Sequence, residues 1–178
     1  MKELTQKNAK QFAYNKFKEL DDLSYRWNII HSQSIIKILK ILTLNKNIDE
    51  KKLFTLAWIH DIGKIISYEN HAKESLNIIS KEFKIDNIDI DCILNHGSSS
   101  NPVTSAGKMF RYADGLSLFT AEAINFRYSA EKQEGVSIEN IGKKLIDMYE
   151  KYKIKYSDSH DVLILLDKLF QDNLSFHQ

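Results

Sequence analysis

The chain has 178 residues and carries 25 Lys and Arg against 24 Asp and Glu, so its formal net charge is +1. This balance excludes a bulk electrostatic field for holding nucleic acid or an anionic membrane. Hydrophobic residues at 43% and charged residues at 28% argue against intrinsic disorder. The only cysteine is Cys92, and no apolar run is long enough to span a membrane. We therefore expect a cytoplasmic protein with one compact core and no membrane contact.

The helical period dominates the chain, and strand patterns are scarce. One proline and six glycines leave few obligatory helix ends, so the sequence predicts an all-α fold. The predicted helices cover residues 6–20, 26–44, 49–59, 70–83, 87–95, 103–128, 138–153 and 158–173. Asp49 is expected to be the N-cap of the third helix. The helix over 103–128 is expected to be interrupted or softened at Gly107 and Gly115, and residues 129–137 are expected to form a mobile excursion.

Histidines concentrate in the first hundred residues: His31, His60, His71 and His96 lie on predicted helices or at their ends. With carboxylates, imidazole nitrogens suit Fe, Mn, Zn, Co or Ni better than Ca or Mg. The strongest element is the adjacent pair His60-Asp61, which the apolar run FTLAWI carries into the core. Neighbouring side chains diverge on a helix but can turn to one point at its end. A buried pair of this kind is costly without a metal ion, so a metal is expected.

The order of these motifs resembles the HD superfamily of metal-dependent phosphohydrolases. His31 comes first, the HD pair follows within AWIHDIGK, and Asp114 follows within RYADGLS. The resemblance covers about two-thirds of the chain. It implies a single HD-type domain over the whole chain, with a helical core at about 24–128 and a C-terminal helical extension at about 138–173.

The resemblance also implies a ligand set for one or two divalent ions of Fe, Mn, Co, Ni or Zn. The ligands implied for one ion are His31, His60, Asp61 and Asp114. Those implied for a second ion, as in two-metal members, are Asp61, His71 and His96. Asp61 would then bridge the two ions. The alternative for His71 is a solvated position at a helix start, and His31 taken alone could be an ordinary helix residue.

Cationic side chains near these motifs are candidates for contacting a substrate phosphate. Lys64 follows the HD pair, and its alternative is a solvated surface lysine. Arg26 and Arg111 precede ligand positions on predicted helices, where a guanidinium could bind phosphate through two hydrogen bonds. Trp27 and Trp58 are expected to be core residues, with base stacking as the alternative.

The ligand set predicts hydrolysis of a phosphate ester by metal-activated hydroxide, with Asp61 and Lys64 as the catalytic residues. The substrate predicted is a nucleotide or a related small phosphorylated molecule. The alternatives are a nuclease for single-stranded nucleic acid, which needs a cationic track beside the metals, and a non-catalytic nucleotide-binding sensor or assembly module. Substrate specificity is expected to depend on residues 97–102 and 129–137. The second HD dipeptide, His160-Asp161, and the terminal His177 are not expected to bind metal.

Overall fold

The computed structural model describes residues 1–97 and 99–174, and these ranges are built of α-helices. The helices are α1 (Gln6–Phe17), α2 (Asp22–Leu42), α3 (Glu50–Ile59), α4 (His71–Glu82), α5 (Asn87–Leu94), α6 (Ser105–Ser117), α7 (Ala121–Gln133), α8 (Ile138–Lys155) and α9 (His160–Leu174). A short 3₁₀ helix, Ile62–Ile65, follows α3. The all-α prediction is confirmed. None of these helices combines the length and apolar character needed to cross a bilayer.

Side-chain oxygens mark where several helices begin. Thr5, Asp21 and Asp49 each accept a hydrogen bond from the backbone N–H three residues later. Asp86 and Asp89 form a reciprocal capping box at the start of α5. Such caps satisfy N–H groups that have no partner within the helix. The starts of these helices are therefore encoded by local sequence, as predicted for Asp49.

The predicted helix over 103–128 is two helices, and the expected interruptions at Gly107 and Gly115 are wrong. Both glycines lie inside α6, and the helix ends at Ser117. The hydroxyl oxygens of Ser117 and Thr120 lie 2.6 and 2.9 Å from carbonyl oxygens three residues earlier. Hydroxyl groups that compete for backbone carbonyls in this way favour a helix end.

Residues 129–137 are mostly helical rather than an excursion. The helix α7 continues through Gln133, and the turn that follows has Gly135 at φ +82°. A positive φ is accessible to glycine without strain because it lacks a Cβ atom. This turn leads directly into α8, whose N-cap is Ser137.

The core is built around α2, which packs against α3, α6 and α7. The helix α1 lies on α3, while α4 packs against the 3₁₀ helix and α5. Core side chains extend from Phe17 of α1 to Leu166 of α9. Cys92 of α5 is fully buried among them, and this burial raises the pKa of its thiol.

Candidate metal centre

The HD pair lies deep in the core, where α3 ends and the 3₁₀ helix begins. Every residue from Leu53 to Ile59 is buried, so the end of α3 is surrounded by protein. His60 is the C-cap of α3, and Asp61 is the N-cap of the 3₁₀ helix that follows. Their side chains face one point, with His60 Nε2 3.3 Å from Asp61 Oδ2. Both residues are almost completely buried, at 0 and 3% exposure.

Four other elements bring the remaining predicted ligands to the same point. His31 lies in the middle of α2, and Asp114 lies in α6, with Nε2 and Oδ1 3.0 Å apart. His71 is the first residue of α4, and His96 follows α5. The Nε2 atoms of His71 and His96 are 2.9 Å apart. The structure thus brings together all six predicted ligand side chains.

Asp61 lies between two groups of histidines. Its Oδ2 is 3.5 Å from His31 Nε2 and 3.3 Å from His60 Nε2. Its Oδ1 is 3.3 Å from His71 Nε2 and 3.5 Å from His96 Nε2. Asp114 Oδ1 lies near the first group only, 3.0 Å from His31 and 3.5 Å from His60. Each oxygen of the Asp61 carboxylate therefore faces a separate set of nitrogen donors.

Backbone hydrogen bonds orient three of the imidazole rings in the same way. The Nδ1 atoms of His60, His71 and His96 lie 3.1, 2.7 and 2.7 Å from the carbonyl oxygen three residues earlier. A carbonyl oxygen only accepts, so each Nδ1 carries the hydrogen. Each ring therefore presents Nε2 to Asp61. This is the orientation that protein scaffolds impose on metal-ligating histidines. Burial would lower the pKa of His60, but the Asp61 and Asp114 carboxylates raise it to about 9, so a metal ion bound there displaces a proton.

Ser117 orients His31, and sequence reasoning missed it. The Ser117 hydroxyl donates to the Asp114 carbonyl at 2.6 Å, so its oxygen accepts from His31 Nδ1 at 3.0 Å. His31 therefore also presents Nε2 to the carboxylates. Ser117 lies three residues after Asp114, hence on the same face of α6. This spacing from Asp114 is the sequence feature that could have predicted the role of Ser117.

We expect Ser117→Ala to lower the divalent-metal affinity about 10- to 100-fold, because the His31 Nδ1–H loses its acceptor and the ring loses its fixed orientation. Titration of chelator-treated protein with Mn²⁺ or Zn²⁺ measures the change. Ser129→Ala is the matched control, since that hydroxyl bonds only the Asn125 carbonyl of exposed α7. Equal affinities in wild type and Ser117→Ala would contradict the orienting role.

The donor set fits a divalent cation. His60 Nε2 and Asp61 Oδ1 are buried and make no hydrogen bond, although each faces other site atoms. The lone pairs of His71 and His96 also face each other, an arrangement that needs a cation between or beside them. Burial would raise the pKa of Asp61, but His60 and Lys64 hold it well below its usual range, so the carboxylate stays ionised. Two geometric groupings could each hold an ion: His31, His60 and Asp114, and His60, Asp61 and His96.

Lys64 is part of this site and is not a solvated surface lysine. Its side chain is only 14% exposed, and its Nζ lies 2.5 Å from Asp61 Oδ2. Residues three apart lie on the same side of a 3₁₀ helix, so this turn brings the Lys64 side chain to Asp61. The site thus holds one ammonium group against two carboxylates.

Neither of the two predicted arginines is among the described residues that line the pocket. Arg26 is exposed, with its guanidinium carbon 5.8 Å from the ring centroid of Phe126. Arg111 Nη2 donates to the Lys155 carbonyl at 3.2 Å, and its guanidinium packs over the Tyr156 ring. Arg111 therefore connects α6 to the end of α8.

Five of the six candidate ligands line a pocket of about 250 Å³, and the sixth, His60, is fully buried. Its lining includes Trp27, His31, Asp61, Lys64, His71, His96, Gly97, Asp114, Leu118 and Tyr152. Trp27 is only half-buried, and its ring is stacked against His31 with centroids 5.6 Å apart. Trp58, in contrast, is 4% exposed within the core. The core prediction is confirmed for Trp58, whereas Trp27 forms part of the pocket wall.

A larger cavity of about 630 Å³ lies elsewhere, among the first residues of α1, α3 and α5. Lys52 lies in it and is paired with Asp86 and Asp89. Lys52 offsets part of the negative charge of the two aspartates, and Asp86 and Asp89 already cap α5. The candidate chemistry is therefore at the smaller pocket.

The second HD dipeptide has a different setting. His160 and Asp161 are exposed in the first turn of α9, as the prediction of a helix start requires. His177 lies outside the described residues, and so does Ser98 of the predicted specificity loop at 97–102.

Comparisons with known proteins agree with this geometry. The family model of the HD domain matches residues 28–151, more than two-thirds of the chain. Ribonuclease Y of Ureaplasma parvum serovar 3 is 33% identical over 98 residues, which are 53% of this chain and 20% of the relative. Ribonuclease Y of Mycoplasma capricolum subsp. capricolum is 24% identical over 157 residues, 85% of this chain and 30% of the relative. The chain thus spans less than a third of these relatives' length. No solved structure matches significantly.

Proposed function

The chain belongs to the HD-domain family of metal-dependent phosphohydrolases, and we propose that it hydrolyses a phosphate ester of a nucleotide or a related small phosphorylated molecule. The observation that carries this proposal is the convergence of four imidazole Nε2 atoms on two carboxylates beside an open pocket. Nitrogen and carboxylate donors of this kind suit divalent transition metals.

The two faces of Asp61 support a division of the ligands between two ions. His31, His60, Asp114 and Asp61 Oδ2 would hold one ion, and His71, His96 and Asp61 Oδ1 would hold the second. When bound, such ions supply a hydroxide nucleophile by lowering the pKa of a coordinated water, and they act as Lewis acids on phosphoryl oxygens. The chain's own contribution is to hold each Nε2 and each ionised carboxylate at the point where the ions would sit.

Lys64 supplies positive charge on the substrate side of this arrangement. Its ammonium lies beside Asp61 and lines the pocket, so it can neutralise charge on the oxygens of a phosphoryl group. Charge stabilisation of this kind is a major part of phosphoryl-transfer catalysis. The contact with Asp61 also holds the ammonium in place before substrate arrives.

We expect Lys64→Ala to retain its divalent ions and to lower kcat about 10²- to 10³-fold, because an ammonium that acts on the transition state is lost. Steady-state kinetics and elemental analysis of the same preparation test both halves of the prediction. Lys73→Ala, an exposed lysine on α4, is the control and should behave as wild type. Full activity of Lys64→Ala would contradict the phosphate contact, and loss of metal would show that Lys64 acts through Asp61.

A second candidate function is hydrolysis of RNA. The observation that favours it is the similarity to two proteins named ribonuclease Y, one of them over 85% of this chain. RNA presents a phosphodiester and a mononucleotide a phosphomonoester, but in both the metal centre would act on a phosphorus atom that carries anionic oxygens. The two functions therefore differ in what the surroundings of the pocket must bind.

A substrate panel tests these functions directly. Protein loaded with Mn²⁺ is assayed against mononucleotides, dinucleoside polyphosphates, cyclic dinucleotides, single-stranded RNA and single-stranded DNA. Turnover of the small nucleotides supports the first function, and turnover of RNA alone supports the second. Binding of a nucleotide without turnover of any substrate would instead indicate a sensor or assembly module.

A further inference from the structure

Three side chains that are not candidate ligands form an apolar wall of the pocket: Trp27, Leu118 and Tyr152. The Trp27 ring is stacked on His31, so the position of the ring is explained by its contact with that candidate ligand. Tyr152 belongs to α8 and lies just beyond the residues matched by the HD-domain model. An aromatic ring beside a phosphate-cleaving centre offers a surface for a planar organic group attached to the phosphate.

The Tyr152 ring is held rigidly. Phe119 and Tyr156 contact it edge-on, with centroids at 5.8 and 5.4 Å. Gly115, the residue after Asp114, lets the ring approach α6 closely, since a Cβ atom there would lie 2.4 Å from Tyr152 Cε1. The ring therefore packs against the backbone next to a candidate metal ligand. A surface fixed in advance loses little conformational entropy when a ligand binds.

Lys155 places positive charge over this ring. Lys155 Nζ lies 5.7 Å from the Tyr152 ring centroid and 3.4 Å from Ser99 Oγ, in the loop that follows His96. Arg111 contacts the Lys155 carbonyl, and burial together with the charges of Lys151 and Arg111 lowers the pKa of Lys155. Aromatic rings next to clustered cations are the combination that binds bases and phosphates of single strands.

We propose that Tyr152 and Lys155 form a subsite for the nucleotide next to the scissile phosphate, with Tyr152 contacting its base and Lys155 its outer phosphate. This inference rests on the second candidate function, hydrolysis of RNA, and assigns residues that contact the strand. The pocket volume of about 250 Å³ is small beside the roughly 300–1,000 Å³ of ordinary ligand pockets. A pocket of this size holds the part of the strand next to the scissile phosphate, and the rest of the strand lies outside it.

Equilibrium binding tests the subsite without turnover. Fluorescence anisotropy of a labelled hexauridylate with phosphorothioate linkages, which resist hydrolysis, is measured with the metal-loaded protein over a range of salt concentrations. Tyr152→Leu should weaken binding about tenfold, and Tyr152→Phe should bind nearly as wild type, because stacking needs only the ring. Lys155→Gln should reduce the slope of log K against log salt by about 0.7, the value for one phosphate contact to a single strand.

Lys153→Gln is the matched control on the same helix. Its ammonium lies 5.1 Å from the Tyr149 ring centroid, away from the residues that line the pocket, so affinity and salt slope should stay as in wild type. Wild-type affinity and slope in both Tyr152→Leu and Lys155→Gln would overturn the subsite.

Hydrolysis of bis(p-nitrophenyl) phosphate by the Mn²⁺-loaded wild type separates this inference from the proposed function. Hydrolysis without any binding of hexauridylate would refute the subsite and leave the phosphohydrolase standing. Binding with the expected dependence on Tyr152 and Lys155, but no hydrolysis of any phosphate ester, would refute the phosphohydrolase and keep the subsite.

Discussion

Replacement of Asp61 by alanine is expected to abolish hydrolysis, with a loss of at least about 10⁴-fold in kcat. The reason is that each of its two oxygens faces a different pair of histidines, so one substitution removes a donor from both groups. Elemental analysis should show loss of both ions, in contrast to Lys64→Ala. Activity on the best substrate of the panel gives the rate.

Two further variants make this prediction decisive. Asp61→Asn keeps the side-chain volume but removes the charge. If circular dichroism shows intact helices in this variant, a loss of metal comes from lost ligation and not from misfolding. Asp161→Ala changes the exposed aspartate of the second HD dipeptide and should leave metal content and rate unchanged. Retention of both ions by Asp61→Asn would refute the bridging role.

Gly63→Ala is expected to disturb the site without touching a ligand. A Cβ atom at Gly63 would lie 2.2 Å from the His71 carbonyl oxygen and 2.4 Å from the Ser75 backbone nitrogen. The start of α4 must then move away from the 3₁₀ helix, and His71 moves with it. We expect the second ion to be lost while the ion at His31, His60 and Asp114 is retained.

The same substitution should lower thermal stability. Overpacking typically costs about 1–3 kcal/mol, which corresponds to roughly 3–10 °C in Tm for a chain of this size. Gly142→Ala is the control, because its nearest neighbour would be Tyr128 Oη at 3.7 Å and alanine favours a helix interior by about 0.5–1 kcal/mol. An unchanged Tm and two bound ions in Gly63→Ala would contradict the close contact between α4 and the 3₁₀ helix.

The candidate ligands could be predicted because their chemistry is local and their order is distinctive. The HD pair follows an apolar run that must be buried, and the end of α3 is indeed surrounded by core residues. His31, His71, His96 and Asp114 then fit the family order, which implies contacts over long sequence distances. Their assignment to individual ions stays a prediction.

Other features depend on tertiary contacts that leave no local pattern. Tyr152 reaches the pocket from α8, far along the chain from the motifs, and packs there only because Gly115 lacks a side chain. The sequence could not decide whether the Lys64 side chain is solvated or part of the site, because the direction of this side chain depends on the 3₁₀ turn. The break after Ser117 was missed because glycine is the usual signal for a helix interruption, whereas hydroxyl groups make the break here.

The contact between His31 and Asp114 joins positions 83 residues apart in the chain. Ions held there would act as a cross-link that closes a long loop, and such a loop is entropically costly to close by weak contacts alone. Since the unfolded chain has no formed site, metal affinity adds to folding stability by mass action. Chelation should therefore make the segment between α2 and α6 the first to open to proteases, and the folded lifetime of this protein would follow the supply of metal.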